Sequence, residues 1–141
     1  MISNELKIIV ARLQEQGNTS FIDGIDDESI ALFEENNKVI LPQKYKEWLN
    51  FSDGGECFLP AGVQFYGVAH KPMIDVDDTD RPDESYCVIG ALSTGDPLLC
   101  KKGEESISIY NHEAGRIEKD EVYPDFFSFL NDLHEILGIG G

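Results

Sequence analysis

Basic residues are scarce in this sequence, and so are the residues that close disulfides or hold metals. Lys and Arg number 11 against 27 Asp and Glu, giving a formal net charge of −16 at pH 7. A field of that sign repels phosphate backbones and excludes direct nucleic-acid binding, while it attracts basic partners and speeds their approach. Cysteine occurs three times, as Cys57, Cys87 and Cys100, with no CxxC pair. An odd count at wide spacing excludes a disulfide framework and points to a reducing, cytoplasmic environment. Their apolar neighbours Phe58, Val88 and Leu99 make them small core hydrophobes rather than nucleophiles. The three histidines, His70, His112 and His134, are never four residues apart, and HExxH is absent, so zinc is not expected. No GxGxxG, GxxxxGK[ST] or GxSxG occurs, which removes the usual nucleotide sites and the hydrolase elbow. No catalytic residue, cofactor or metal is therefore expected. Long apolar runs are missing too. The opening stretch, Met1 to Gln14, is interrupted by Glu5, Lys7 and Arg12, which suits neither a signal peptide nor a membrane span.

What is present suits one globular domain over residues 1–141. At 41% hydrophobic and 27% charged, the 141 residues have enough apolar material for a core without staples. Leu6, Ile9, Val10 and Leu13 recur at helical spacing after Ser3 or Asn4 as cap, with Gly17 as stop. A second helix follows Asp26, with Ile30, Phe33 and Ala31 inward and an end near Asn36–Asn37. Leu41 and Pro42 open a third, Pro42 standing at the first helical position, where its missing N–H costs nothing. Its buried face is Tyr45, Trp48 and Leu49, and Gly54 and Gly55 end it. Short β-rich runs then alternate with turns: Glu56–Leu59, Val63–Val68, Cys87–Leu92, Leu98–Lys101, Ser106–Tyr110 and Arg116–Ile117. Turns fit at Ser93–Pro97, at Lys102–Glu105 and around Gly115. Pro124 opens a last helix with Phe126, Phe127, Phe129, Leu130, Leu133, Ile136 and Leu137, closed by Gly138. The predicted class is α+β: a largely antiparallel sheet with helices packed on one side, three N-terminal and one C-terminal.

The stretch Asp75-Val76-Asp77-Asp78-Thr79-Asp80 invites a calcium reading. An EF-hand loop needs Gly in sixth place and Glu in twelfth, and here those places hold Asp80 and Tyr86. The stretch reads better as an exposed loop, since prolines at 72 and 82 and crowded like charges oppose regular structure. Loops of this kind carry function on rigid scaffolds, so Asp75, Asp77, Asp78, Asp80, Asp83 and Glu84 are candidate partner contacts. Asp53, Glu56 and Asp96, near the turn-rich end of the sheet, form a second candidate group.

Several segments together resemble the SUKH superfamily. Leu41-Pro42-Gln43-Lys44-Tyr45-Lys46-Glu47-Trp48-Leu49 followed by Asp53-Gly54-Gly55-Glu56 is similar to that family's LPxxYxxFL helix and its Gly-Gly turn. Val63–Val68, with Tyr66-Gly67, resembles the next strand. Ile89-Gly90 with Gly95-Asp96 resembles a strand and turn of the IGxxxxGD pattern, although Thr94 stands where the family usually doubles the glycine. Ser106–Tyr110 with His112-Glu113, and Phe126-Phe127-Ser128-Phe129-Leu130, resemble the later strand and terminal helix. The likeness runs from about Asp26 to Leu137. It implies a non-enzymatic binding domain. Bacterial members act as immunity proteins against polymorphic toxins, often nucleases, and fungal members are regulators related to cell-wall (glucan) synthesis. The expected partner is therefore a protein, basic where it is a toxin domain, bound by a monomer or weak dimer with no membrane involvement. A ligand-binding or regulatory scaffold module is the alternative.

Overall fold

Ser3 ends its extended stretch with its hydroxyl accepting the Leu6 N–H at 3.2 Å, and a helix starts there. In the computed structural model, which describes residues 3–58, 62–69, 85–111 and 113–136, this is α1 (Asn4–Gln16). Leu6, Ile9, Val10 and Leu13 are buried as their spacing requires. Gly17 closes α1 in an extended conformation, φ 175°, so its value is not a left-handed turn. A Cβ there would lie 2.7 Å from the Phe58 ring, and the missing side chain is what lets that ring approach. The short strand β1 (Thr19–Ser20) follows.

Asp26 caps α2 (Asp27–Asn37), its carboxylate accepting the Ser29 N–H at 2.8 Å. Ile30 and Phe33 are buried, whereas Ala31 points to solvent. Lys38, left-handed at φ 52°, ends the helix one residue beyond the asparagines. Pro42 lies one place earlier than expected, as the capping residue of α3 (Gln43–Phe51). It offers no side-chain acceptor. Glu105 supplies one from a distant turn, accepting the Gln43 N–H at 2.7 Å and the Lys44 N–H at 3.2 Å.

The remaining strands are β2 (Gly55–Cys57), β3 (Val63–Phe65), β4 (Tyr86–Leu92), β5 (Pro97–Lys101), β6 (Ile107–Asn111) and β7 (Arg116–Tyr123). Among the described residues they join β1 in one seven-stranded sheet whose spatial order is the chain order, and every pairing is antiparallel. The last helix, α4 (Phe126–Ile136), begins one residue after Asp125, whose carboxylate accepts the Ser128 N–H at 2.8 Å. Helices and sheet meet in one core, and the expected α+β arrangement is the observed one. Trp48 is fully buried, as are Tyr45, Leu49 and Phe126, and Leu130 is nearly so. The Trp48 ring meets Phe21, Phe51, Phe65 and Phe126 edge-on, with centroids 5.4, 5.4, 5.3 and 5.8 Å away. Edge-to-face contacts of this kind add to what area burial alone provides.

Candidate partner-binding site

α3 stops at Ser52, which turns extended at φ −148°, and the two glycines come after it. Gly54 and Gly55 have φ of 109° and 105°, where side-chained residues are strained, so the chain can reverse into β2 within two residues. The Gly54 carbonyl accepts the Trp48 indole N–H at 2.9 Å and the Ser52 hydroxyl at 3.1 Å. Ser52 Oγ in turn accepts the Ile22 N–H at 3.1 Å.

Asp53 is 5% exposed. Its N–H donates to the Asp23 carbonyl, and its two carboxylate oxygens accept the N–H groups of Val68 at 2.6 Å and Ala69 at 3.0 Å. A Cβ on Gly67 would collide with the Asp53 carboxylate and carbonyl. The Tyr66 N–H still donates to the Ile89 carbonyl of the neighbouring strand at 2.7 Å, while β3 ends at Phe65, short of the expected Val68, whose N–H turns to this carboxylate. Beneath it the Tyr45 hydroxyl donates to the Tyr66 carbonyl at 2.5 Å, with the Ile89 carbonyl at 3.2 Å. Burial above all, then the neighbouring Cys100, Cys87 and Asp53, pushes the Tyr45 phenol well above its ordinary range, so it remains a donor.

Three segments, around residues 21–27, 52–55 and 66–69, are thus pinned to one another. Outside, they leave two adjoining shallow depressions. One, of ≈570 Å³, is lined by Ile22, Asp23, Gly24, Ile25, Asp53 and Ala69. The other, of ≈390 Å³, is lined by Gly24, Ile25, Asp26, Asp27 and Asn50. Asp23, Asp26 and Asp27 are exposed around them. Ser29, through its hydrogen bonds, holds the Asp26 carboxyl below the usual range. The sequence marked Asp26 only as a helix cap; the signal for this surface was the acidic run Asp26-Asp27-Glu28 beside Asp23.

The described candidate contacts, Asp53, Glu56 and Asp96, are not gathered in one place. Asp53 is buried and committed to backbone amides, so it supports the turn rather than offering charge to a partner. Glu56, on β2, accepts from Gln64 Nε2 at 3.0 Å across the strand pair. Asp96 lies in the β4–β5 turn, where its carbonyl accepts the Leu92 N–H. Ser93 of that turn bonds Gly62, so the turn sits at the Cys57–Val63–Leu92 end of the sheet, away from Gly55, Phe65 and Gly90. Asp75, Asp77, Asp78, Asp80, Asp83 and Glu84 lie outside the described residues, as does His70, and Ala69 of the first depression is the last described residue before them. Of the structural motif residues, Pro42 caps α3 instead of opening it, and Gly54 and Gly55 follow its end at Ser52. Leu41 is buried, a Cβ on Gly90 would stand 2.5 Å from the Gln64 carbonyl, and Gly95 turns the chain at φ 96°. Among the described residues no three His, Cys, Asp or Glu side chains group as metal ligands, and no helix is long and apolar enough to cross a membrane.

The fold is a helix-backed antiparallel meander in which Trp48 and Asp53 lock a glycine turn to its neighbours. The chain belongs to the SMI1 / KNR4 family (SUKH-1), whose model matches residues 24–132. That family fits an immunity or regulator-like domain. A search of curated proteins gives no match.

Proposed function

We propose that this chain is a non-enzymatic, cytoplasmic immunity protein that binds a cognate toxin domain, a nuclease being the best fit, and blocks it. The observation that carries the reading is the net charge of −16 on a SUKH-1 domain. Nuclease domains present basic grooves to nucleic acid, and an acidic domain occupies such a groove by matching phosphate charge. Complementary potentials also give the rapid encounter that an antidote needs. Family membership supports the reading further, because that family fits an immunity or regulator-like domain.

The test is co-expression with the product of the neighbouring gene, which the proposal expects to be a toxin domain. The expected result is a complex that survives size exclusion, abolishes the toxin's activity and loosens as salt rises. A toxin that stays fully active and elutes separately from a stoichiometric amount of the chain overturns the assignment. Association with a cell-wall synthesis component instead would move the protein to the regulatory branch of the family.

A further inference from the structure

Cys87 on β4 and Cys100 on β5 are direct cross-strand partners. Residues opposite each other on antiparallel strands project to the same face, and here that face is the core side: Cys100 is inside the core cluster and Cys87 packs against it. The Cys100 thiol is hydrogen-bonded to that of Cys87. The register also fixes the type of pair. Lys102 N–H donates to the Ser85 carbonyl at 2.8 Å, one step beyond the Tyr86–Lys101 pair, so Cys87 and Cys100 occupy a hydrogen-bonded position. At such positions the Cα atoms stand about 5.5 Å apart, inside the range a disulfide spans. The Cβ atoms stand wider than a relaxed disulfide prefers, so a link formed there is strained and easily reduced. A bulge begins at Val88, the next residue, and supplies local twist and slack.

We propose that Cys87 and Cys100 form a reversible dithiol–disulfide couple inside the β4–β5 pair, with hydrogen peroxide as the oxidant. The half-buried Cys87 is the more accessible of the two and reacts first. Its sulfur attacks the peroxide, the O–O bond breaks, and Cys87 becomes a sulfenic acid while one water leaves. The Cys100 sulfur then attacks the sulfenic sulfur, the S–O bond breaks, and a second water carries off the oxygen with the thiol proton. Two thiols and one peroxide give one disulfide and two waters. The bond to Cys87, then burial, pushes the Cys100 thiol well above its ordinary range, so the resting Cys100 is a protonated thiol. Cys57, buried and pushed up to about 12, remains a bystander.

The experiment treats the folded wild-type protein with hydrogen peroxide, alkylates it under denaturing conditions and maps it by mass spectrometry without reduction. The expected product is an intramolecular peptide pair joining Cys87 to Cys100, with Cys57 alkylated, and dithiothreitol restores both thiols without unfolding the protein. The variant C100A should instead accumulate a Cys87 sulfenic acid that a dimedone probe traps. Recovery of Cys87 and Cys100 as alkylated thiols after treatment overturns the proposal, as does a link that forms only between chains or only through Cys57.

Discussion

Trp48 touches rings from α3, β3, α4 and the segment before α2, so truncating it removes contacts on every side of the core at once. Trp48→Ala should cost about 3–5 kcal/mol, a large share of the stability of an ordinary domain. Urea unfolding followed by circular dichroism measures this, and an unshifted midpoint would contradict the packing described. Asp53 works by a different route. Asp53→Ala leaves the Val68 and Ala69 N–H groups without their acceptor in a part-buried site, and should cost about 1–3 kcal/mol although no apolar surface is lost. Gly67→Ala should act on the same contact from its other side, and the two losses should not add in a double mutant. The burial of Tyr45 and Trp48 was legible from their helical spacing. The task of the Tyr45 hydroxyl was not, because its two carbonyl neighbours lie 21 and 44 residues away. The acidity of Asp53 suggested a surface charge for a similar reason: a sequence shows the carboxylate but not the amides that enclose it.

Among the elements, the helix starts show how far local signals reach. α1 and α2 carry their own caps, Ser3 and Asp26, and both were readable. α3 does not, and Glu105→Ala should destabilise the protein by about 1 kcal/mol by releasing two N–H groups at its first turn. Glu105→Gln, which keeps an acceptor oxygen, should lose less. The α4 cap adds a pH dependence. Burial raises the Asp125 carboxyl, but Lys44 at 2.8 Å and the bonds with Ser128 outweigh that and hold it below the usual range. A carboxyl depressed on folding gives its full stabilisation above its unfolded pKa of about 3.9, and that share is lost as pH falls through the lower folded value. Asp125→Asn should therefore flatten the acid limb of the stability curve and leave its neutral-pH shape intact; an unchanged acid limb would rule this out. Strand limits were harder to read. β7 runs to Tyr123, well past the expected Arg116–Ile117, because Glu118-Lys119-Asp120-Glu121 hides the β pattern under charge. Charged residues on an edge strand discourage unwanted pairing, so the feature that hid the strand fits its place at the end of the sheet. β1, two residues long, has no periodicity to detect and exists through its pairing with β2.

For the whole molecule the dominant quantity is charge. If the acidic stretch guides a basic partner, replacing Asp77, Asp78 and Asp80 by Asn should slow association at low salt. The difference should close at high salt, where the Debye length drops to about 3 Å at 1 M. Stopped-flow association rates at two salt concentrations decide it, and equal rates at low salt would exclude the stretch from steering. The sheet from β4 to β7 was legible because each of these strands pairs with its neighbour in the chain across a short turn, so the links could be read as hairpins without long-range knowledge. One consequence of the core concerns light. Trp48 is the only tryptophan, and its indole is sealed among phenylalanine rings with its N–H held by the glycine turn. The protein therefore carries a single internal fluorophore at the point where α3, the sheet and α4 meet. Its emission should lie toward the blue while that junction stays dry and shift toward the red when water enters, so one unlabelled optical signal reports the opening of the entire domain.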